Sequence, residues 1–272
     1  MPYLDIEGKT LYYEHHVQSS TTDQPTIVLA HGFGMSCRVW DHTTGWLNDH
    51  GYDVVAFDQR CCGQSGKDFT DVSVEVMAAD IELLCTALGL DNVVLNGWSL
   101  GGAIVVSAAA HMPQRLKGLV LTGGATPRYT QADGFPFGGT EDDVRATVAA
   151  LRANRPAFLK GLYYEGVFAK DVDEIVKHWC WQIAMQESPA GDAALGALAD
   201  IDQRAEMAGI HCPALVIHGS EDGVVPADIG RFAAECLPNA ALAEMDGCGH
   251  APFLEDMESY HQHLLGFLKG LE

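Results

Sequence analysis

A serine stands between two glycines in Gly97-Trp98-Ser99-Leu100-Gly101, directly after the apolar run at 93–96 and just before the small-residue run at 103–110. Strand, sharp turn and helix in that order present a serine hydroxyl as a nucleophile above the end of a sheet. The glycines have a steric reason. On so tight a turn the chain two residues either side passes very close, and a Cβ at Gly97 or Gly101 would clash. The same turn aims the Leu100 N–H and the start of the helix at the point where an oxyanion would form. A serine hydroxyl is a poor nucleophile until a base takes its proton, and a third group must orient that base.

Two later loops supply those residue types in the expected chain order. The apolar run at 214–217 ends at His218, and Gly219-Ser220-Glu221-Asp222-Gly223 follows. Asp222 is the expected orienting acid, with Glu221 as its rival. The short run at 240–244 leads to Gly247-Cys248-Gly249-His250-Ala251-Pro252-Phe253. A histidine on a glycine-flanked loop at a strand end is placed as a base, so His250 completes the set. His15 and His16 fall on an early strand, His261 and His263 on the terminal helix, and His218 on a strand expected to be buried. In His31-Gly32-Phe33-Gly34, the glycines let backbone approach a substrate, and the Phe33 N–H would pair with that of Leu100 as oxyanion donor. His31 reads as structural, bonding loop backbone behind that site.

The elements that must hold these residues follow from hydrophobic patterning. Strands are expected at 9–17, 25–30, 52–57, 93–96, 116–121, 214–218 and 240–244. Helices are expected at 36–49, 72–88, 103–112, 228–237 and 253–271. Short apolar strands alternating with helices argue for a parallel α/β sheet. The alternation stops near Gly123. Residues 124–140 read as loop, and 141–208 as helices broken at Pro156, Lys170-Asp171 and Ser188-Pro189. We therefore expect a sheet domain formed by 1–123 and 209–272, with 124–208 inserted as a helical lid over the carboxyl edge of the sheet, where ligands bind. Pocket candidates are Trp98, next to the nucleophile, and the lid aromatics Phe135, Tyr163, Trp179 and Trp181. Phe137, Tyr164, Phe168 and Met185 fall in the same segment, and packing of the lid on the sheet domain would explain each of these lid residues equally well.

Composition bounds the chemistry. The 272 residues include 37 acidic and 16 basic ones, a formal charge of −21, which repels nucleic acid and anionic membrane and favours neutral or cationic small substrates. The excess is spread along the chain, as on a well-solvated surface; salt adaptation is the other reading. No apolar run reaches the 18 or more residues needed to span a bilayer, and the first residues lack the basic and apolar regions of a secretion signal. A cytoplasmic protein is expected, with a homodimer left open. The 8 cysteines form no C-x-x-C pair and match no zinc pattern, so free thiols and no bound metal are expected. Adjacent Cys61 and Cys62 are either small residues filling a tight loop or a redox-sensitive pair.

Taken together, the four glycine-rich loops around Phe33, Ser99, Asp222 and His250 resemble the α/β-hydrolase superfamily over nearly the whole chain. Gly-Trp-Ser-Leu-Gly-Gly and Gly-His-Ala-Pro-Phe are similar to those of the small microbial esterase and lactonase branch, which includes haloperoxidase-like arylesterases and carboxylesterases. The resemblance implies a mostly parallel eight-stranded sheet flanked by helices, a Ser99–His250–Asp222 triad, no cofactor, and cleavage of small to medium apolar esters or lactones. Serine at the elbow, where related dehalogenases and epoxide hydrolases carry aspartate, implies acyl transfer. The same triad could instead cleave a C–C bond in a vinylogous diketone, or pass the acyl group to peroxide. A ligand receptor with disabled chemistry is a further reading. One departure stands out: Asp58-Gln59-Arg60-Cys61-Cys62-Gly63 places Cys61 where the family usually has glycine. If that position requires positive φ, the loop is strained or rearranged.

Overall fold

The chain runs β1 (Tyr3–Ile6), β2 (Lys9–His16), β3 (Thr26–Ala30), α1 (Asp41–Asp49), β4 (Val54–Phe57), α2 (Val74–Leu88), β5 (Val93–Trp98), α3 (Leu100–His111) and β6 (Leu116–Thr122). There follow α4 (Glu141–Ala153), α5 (Arg155–Gly161), α6 (Glu174–Ala184), α7 (Asp192–Ala197) and α8 (Arg204–Ala208). The last part is β7 (Ala214–Gly219), α9 (Ala227–Cys236), β8 (Ala240–Met245), α10 (Pro252–Glu255) and α11 (Met257–Lys269). These assignments come from a computed structural model that describes residues 2–18 and 24–271.

The eight strands form one sheet in the order β1-β2-β4-β3-β5-β6-β7-β8. β2 pairs antiparallel with β1 and β4, and every pairing from β4 to β8 is parallel. β3, β5 and β7 are buried along their whole length, as parallel strands covered on both faces must be. α3 packs on β5 and α9 on β7. α3 is apolar all round and buried from Leu100 to Ala109, so its place is inside the molecule.

Patterning missed β1 and blurred three boundaries. β1 joins β2 through Glu7 and Gly8, both at positive φ (55° and 79°), the geometry of a two-residue hairpin turn. Only Ile6 of β1 is buried, so it carries no periodic apolar signal. The segment expected as one helix from 36 begins instead as a 3₁₀ turn at Cys37–Trp40, with the Ser36 hydroxyl accepting from the Arg38 N–H at 3.3 Å. The terminal helix is broken at Asp256, whose carboxylate caps α11 by accepting from the Ser259 N–H at 3.2 Å. A five-residue π turn, Leu162–Gly166, continues α5.

Between β6 and β7 the described residues include five α-helices and no strand. This insertion is stitched to the sheet domain by specific polar contacts. Gln203 donates to the Ala103 carbonyl at 2.8 Å, and Lys67 Nζ donates to the Gln186 carbonyl at 2.9 Å. The order of strands reverses at β3, whose neighbours are β4 and β5. Loops leaving the carboxyl ends of β3 and β5 therefore diverge, and a crevice opens between them.

Candidate active site

Ser99 opens that crevice. It follows β5 at φ 57° and ψ −121°, a conformation that a non-glycine residue holds only when its surroundings enforce it. The enforcing contacts are backbone ones. Ser99 N–H donates to the Thr122 carbonyl at 3.1 Å, and the Ser99 carbonyl accepts from the N–H groups of Gly102 and Ala125, both at 2.9 Å. A Cβ on Gly97 would overlap the Gly101 backbone and one on Gly101 the Ala30 and His31 carbonyls, while one on Gly102 would come within 2.7 Å of Gly124 Cα. The glycines are thus required where strand, elbow and neighbouring loop touch.

The β3 loop lies on the opposite wall. His31 is fully buried; its Nε2 accepts from the Gln59 N–H at 3.0 Å. Its Nδ1–H therefore donates to the Gly32 carbonyl at 2.8 Å. Burial pushes its pKa below the ordinary histidine range, so the ring stays neutral and braces the loop carrying Phe33. Among the described residues neither the Phe33 nor the Leu100 amide has an acceptor.

The β7 and β8 loops converge on the same point. His250 Nδ1 lies 2.8 Å from Asp222 Oδ2, with both residues buried. Asp222 Oδ1 accepts from the N–H groups of Val224 at 2.9 Å and Val225 at 2.8 Å. Burial alone would raise the Asp222 pKa, but His250 and His218 outweigh it and hold the carboxyl well below the usual range. Glu221 is exposed, so Asp222 is the carboxylate that meets His250. Patterning gave no role to His218. Its Nε2 lies 2.8 Å from the Val225 carbonyl and 3.2 Å from Asp222 Oδ2, while its Nδ1 is buried without a partner. A protonated Nδ1 there would be an orphaned buried donor. His218 is therefore the neutral Nε2–H tautomer, a second donor to the Asp222 oxygen that faces His250. Its position four residues before the acid was the available signal, and it was read only as strand core.

Ser99 and His250 line one cavity of about 90 Å³. The Ser99 hydroxyl makes no hydrogen bond among the described residues. Gly32, Phe33, Trp98 and Ala125 form the wall nearest Ser99, and Val224 and Val225 come from the acid loop. The insertion contributes Tyr129, Thr147, Phe158, Leu162, Tyr163, Val167, Leu195 and Leu198. No Asp, Glu, Lys or Arg is among the lining residues. The three lining hydroxyls other than Ser99 are already committed to backbone carbonyls: Tyr129 to Val224 (3.1 Å), Thr147 to Asp143 (2.8 Å) and Tyr163 to Phe33 (3.4 Å).

Of the aromatics expected in the pocket, Trp98 and Tyr163 line this cavity; Phe135, Trp179 and Trp181 do not. Phe135 packs edge-on against Phe137 and Phe232, with ring centres 5.3 and 5.1 Å away. Trp179 meets the edge of His42, and the Trp181 indole donates to the Pro156 carbonyl at 3.2 Å. These rings fill seams around the insertion, whereas the cavity takes its aliphatic side chains together with Tyr129, Phe158 and Tyr163. Their helical spacing, such as Leu195 and Leu198, cannot be told from that of a core face.

Cys61 does adopt positive φ, at 68°. The loop keeps the glycine-type turn, and the cysteine carries a left-handed cost of about 1–2 kcal/mol. Its carbonyl accepts from the Ser188 N–H of the insertion at 2.9 Å. Cys61 and Cys62 are both buried free thiols, and burial raises both pKa values. Among the described residues no His, Cys, Asp and Glu cluster could hold a metal ion, and no helix is long and apolar enough to cross a membrane.

A family model described as the alpha/beta hydrolase fold matches residues 25–257. A non-heme chloroperoxidase of Streptomyces lividans is 31% identical over 274 residues, covering 97% of this chain and 98% of that one. Among solved structures, an esterase from Exiguobacterium antarcticum superposes with a TM-score of 0.92 at 29% identity, covering 97% of each chain. A bromoperoxidase from Bacillus anthracis superposes with a TM-score of 0.90 at 28% identity, covering 96% of each.

Proposed function

The chain belongs to the alpha/beta hydrolase family, and within it we propose a serine hydrolase that cleaves carboxylic esters or lactones of small apolar substrates through an acyl-enzyme. The observation that carries this reading is the buried His250–Asp222 pair at 2.8 Å, whose histidine lines one cavity with the strained Ser99. Ser99 Oγ attacks the ester carbonyl as His250 Nε2 takes its proton, and Asp222 holds the imidazole tautomer and stabilises the imidazolium. The Phe33 and Leu100 amides receive the oxyanion; each such donor is typically worth about 3–4 kcal/mol. His250 then protonates the leaving alcohol and deprotonates the water that releases the acid. The segment 124–208 acts as the lid, closing an apolar pocket over the acyl group.

The cavity argues for the substrate class. Its lining carries no charge besides the catalytic groups, and its hydroxyls other than Ser99 are occupied by backbone carbonyls. A cavity of about 90 Å³ with an apolar lining suits short acyl chains. A vinylogous diketone would need further polar partners for its enol, and beyond Ser99, His250 and the oxyanion amides this lining offers none that is uncommitted. The peroxidase relatives favour one further activity of the same site: hydrogen peroxide replacing water would turn the acyl-enzyme into a peracid.

The test is turnover of p-nitrophenyl acetate, butyrate and palmitate by the wild type and Ser99→Ala. We expect the short esters to be preferred and Ser99→Ala to lose at least about 10⁴-fold in kcat. Full activity in folded Ser99→Ala would overturn the mechanism.

A further inference from the structure

The Glu255 carboxylate, at the end of α10, is where two loops meet. Its Oε2 accepts from the N–H groups of Gly249 at 2.9 Å, Ala169 at 2.8 Å and Lys170 at 3.0 Å, and its Oε1 from Ala251 at 3.2 Å. Two of these donors flank His250, and two belong to the insertion just after its π turn. A cap for the first turn of α10 would need the Ala251 bond alone. The other three reach across to different segments, and only an ionised carboxylate has acceptor capacity for all four.

Other contacts tighten the same joint. The Val167 carbonyl accepts from the His250 N–H at 2.7 Å, and Lys170 Nζ pairs with Asp256 at 2.8 Å. A Cβ on Gly249 would sit 2.7 Å from both the Ala169 nitrogen and the Val167 oxygen, so this glycine permits the approach. Val167 itself lines the cavity. On the elbow side, the Trp98 indole donates to the His250 carbonyl at 2.8 Å. The backbone of His250 is thus held between the residue next to the nucleophile and the 167–170 segment of the insertion.

We propose that Glu255 is a positioning residue that ties the lid to the general base, so that closing the cavity and placing His250 are one event. The proposal rests on the serine hydrolase reading above. Glu255 touches no reacting atom. It acts by fixing the spacing between the Val167–Lys170 segment and the His250 loop. Any displacement of that segment pulls the imidazole away from Ser99 and Asp222, and a misplacement of about 1 Å costs on the order of 100-fold in rate.

The experiment compares wild type, Glu255→Gln and Ser99→Ala with p-nitrophenyl butyrate, well below the melting transition of each. Glu255→Gln keeps size and part of the acceptor capacity but turns an amide toward N–H donors. We expect about a 100-fold loss of kcat, slower labelling of Ser99 by a fluorophosphonate, and a displaced acid limb in the pH profile of kcat/KM. A purely stabilising Glu255 would lower the melting temperature and leave kcat and the profile of the folded variant unchanged, which would overturn the proposal. If Glu255→Gln does not fold, amide exchange on the wild type decides. The Ala169, Lys170 and Gly249 amides should exchange at one common rate that falls when Ser99 carries the phosphonate. Three unrelated rates would overturn the coupling. Full activity in Ser99→Ala would remove the hydrolase reading itself, whereas an inactive Ser99→Ala beside an unimpaired Glu255→Gln removes only the role of Glu255.

Discussion

His218 lies on a buried strand, yet it touches the acid of the candidate site. Its Nε2–H is shared between the Val225 carbonyl and Asp222 Oδ2, the oxygen that also faces His250. The donation spreads the negative charge of Asp222 and limits how strongly it attracts a proton on His250. Replacing His218 by Phe removes it. The stronger pull of Asp222 on a proton at the base then moves the acid limb of kcat/KM to higher pH. One neutral hydrogen bond contributes about 0.5–1.5 kcal/mol, so the expected move is roughly half a unit to one unit. His218→Gln, with an amide N–H at a similar reach, should restore the limb. A pH–rate profile of the three proteins checks this, and an unmoved limb in His218→Phe refutes it.

Within the insertion, helices are joined by a cluster of two arginines and two buried carboxylates, in which Arg152 of α4 reaches Asp192 at 3.6 Å. Arg155 of α5 pairs with both Glu187 and Asp192. Burial raises the Glu187 pKa to about 8, with Arg155 opposing. Its native value lies above its unfolded one, so the native state holds the extra proton, and stability is lost as pH rises toward 8. His261, packed on Trp46 with ring centres 4.4 Å apart, has the opposite sign. Burial lowers its pKa to about 4, so its contribution is present above about 6.5 and lost on acidification. The two oppose each other below about 6.5. Above it the Glu187 slope stands alone, at about 1 kcal/mol per pH unit for one proton. Urea unfolding midpoints of wild type should fall between pH 6.5 and 8, and those of Glu187→Gln should stay flatter. Parallel curves would refute the assignment.

At the scale of the whole molecule, a charge of −21 surrounds a cavity whose lining carries no Asp, Glu, Lys or Arg. The surface field repels an anionic ester before contact, and salt screens that field over about 10 Å at 0.1 M. For a short ester bearing a carboxylate, kcat/KM should rise with ionic strength. For the uncharged analogue it should stay level. Initial rates at 0.02 and 0.5 M salt compare the two, and identical salt responses would contradict the prediction.

Much of this was legible in the residues because it is local. An apolar run followed at once by Gly-x-Ser-x-Gly determines a strand, an elbow and a helix, since few other chains can pass so close without a Cβ in the way. The alternation of β3 to β6, and again of β7 to β8, determines a parallel sheet because buried strands and covering helices have different periods. Chain order then points to Asp222 and His250. What only the tertiary structure decided is long-range. β1 exposes most of its side chains and exists because β2 supplies its partners. The cavity wall was hidden because an apolar residue facing a pocket and one facing a core have the same spacing; Phe135, Trp179 and Trp181 went to seams, and Phe158, Leu162, Leu195 and Leu198 to the cavity. Glu255 was hidden because two of its donors, Ala169 and Lys170, lie on a distant segment, and a hydrogen bond between distant segments leaves no period in the chain. The partners of His218, Val225 and Asp222, are close in sequence, but a strand histidine buried in the core and one turned toward the acid loop have the same spacing until that loop folds back.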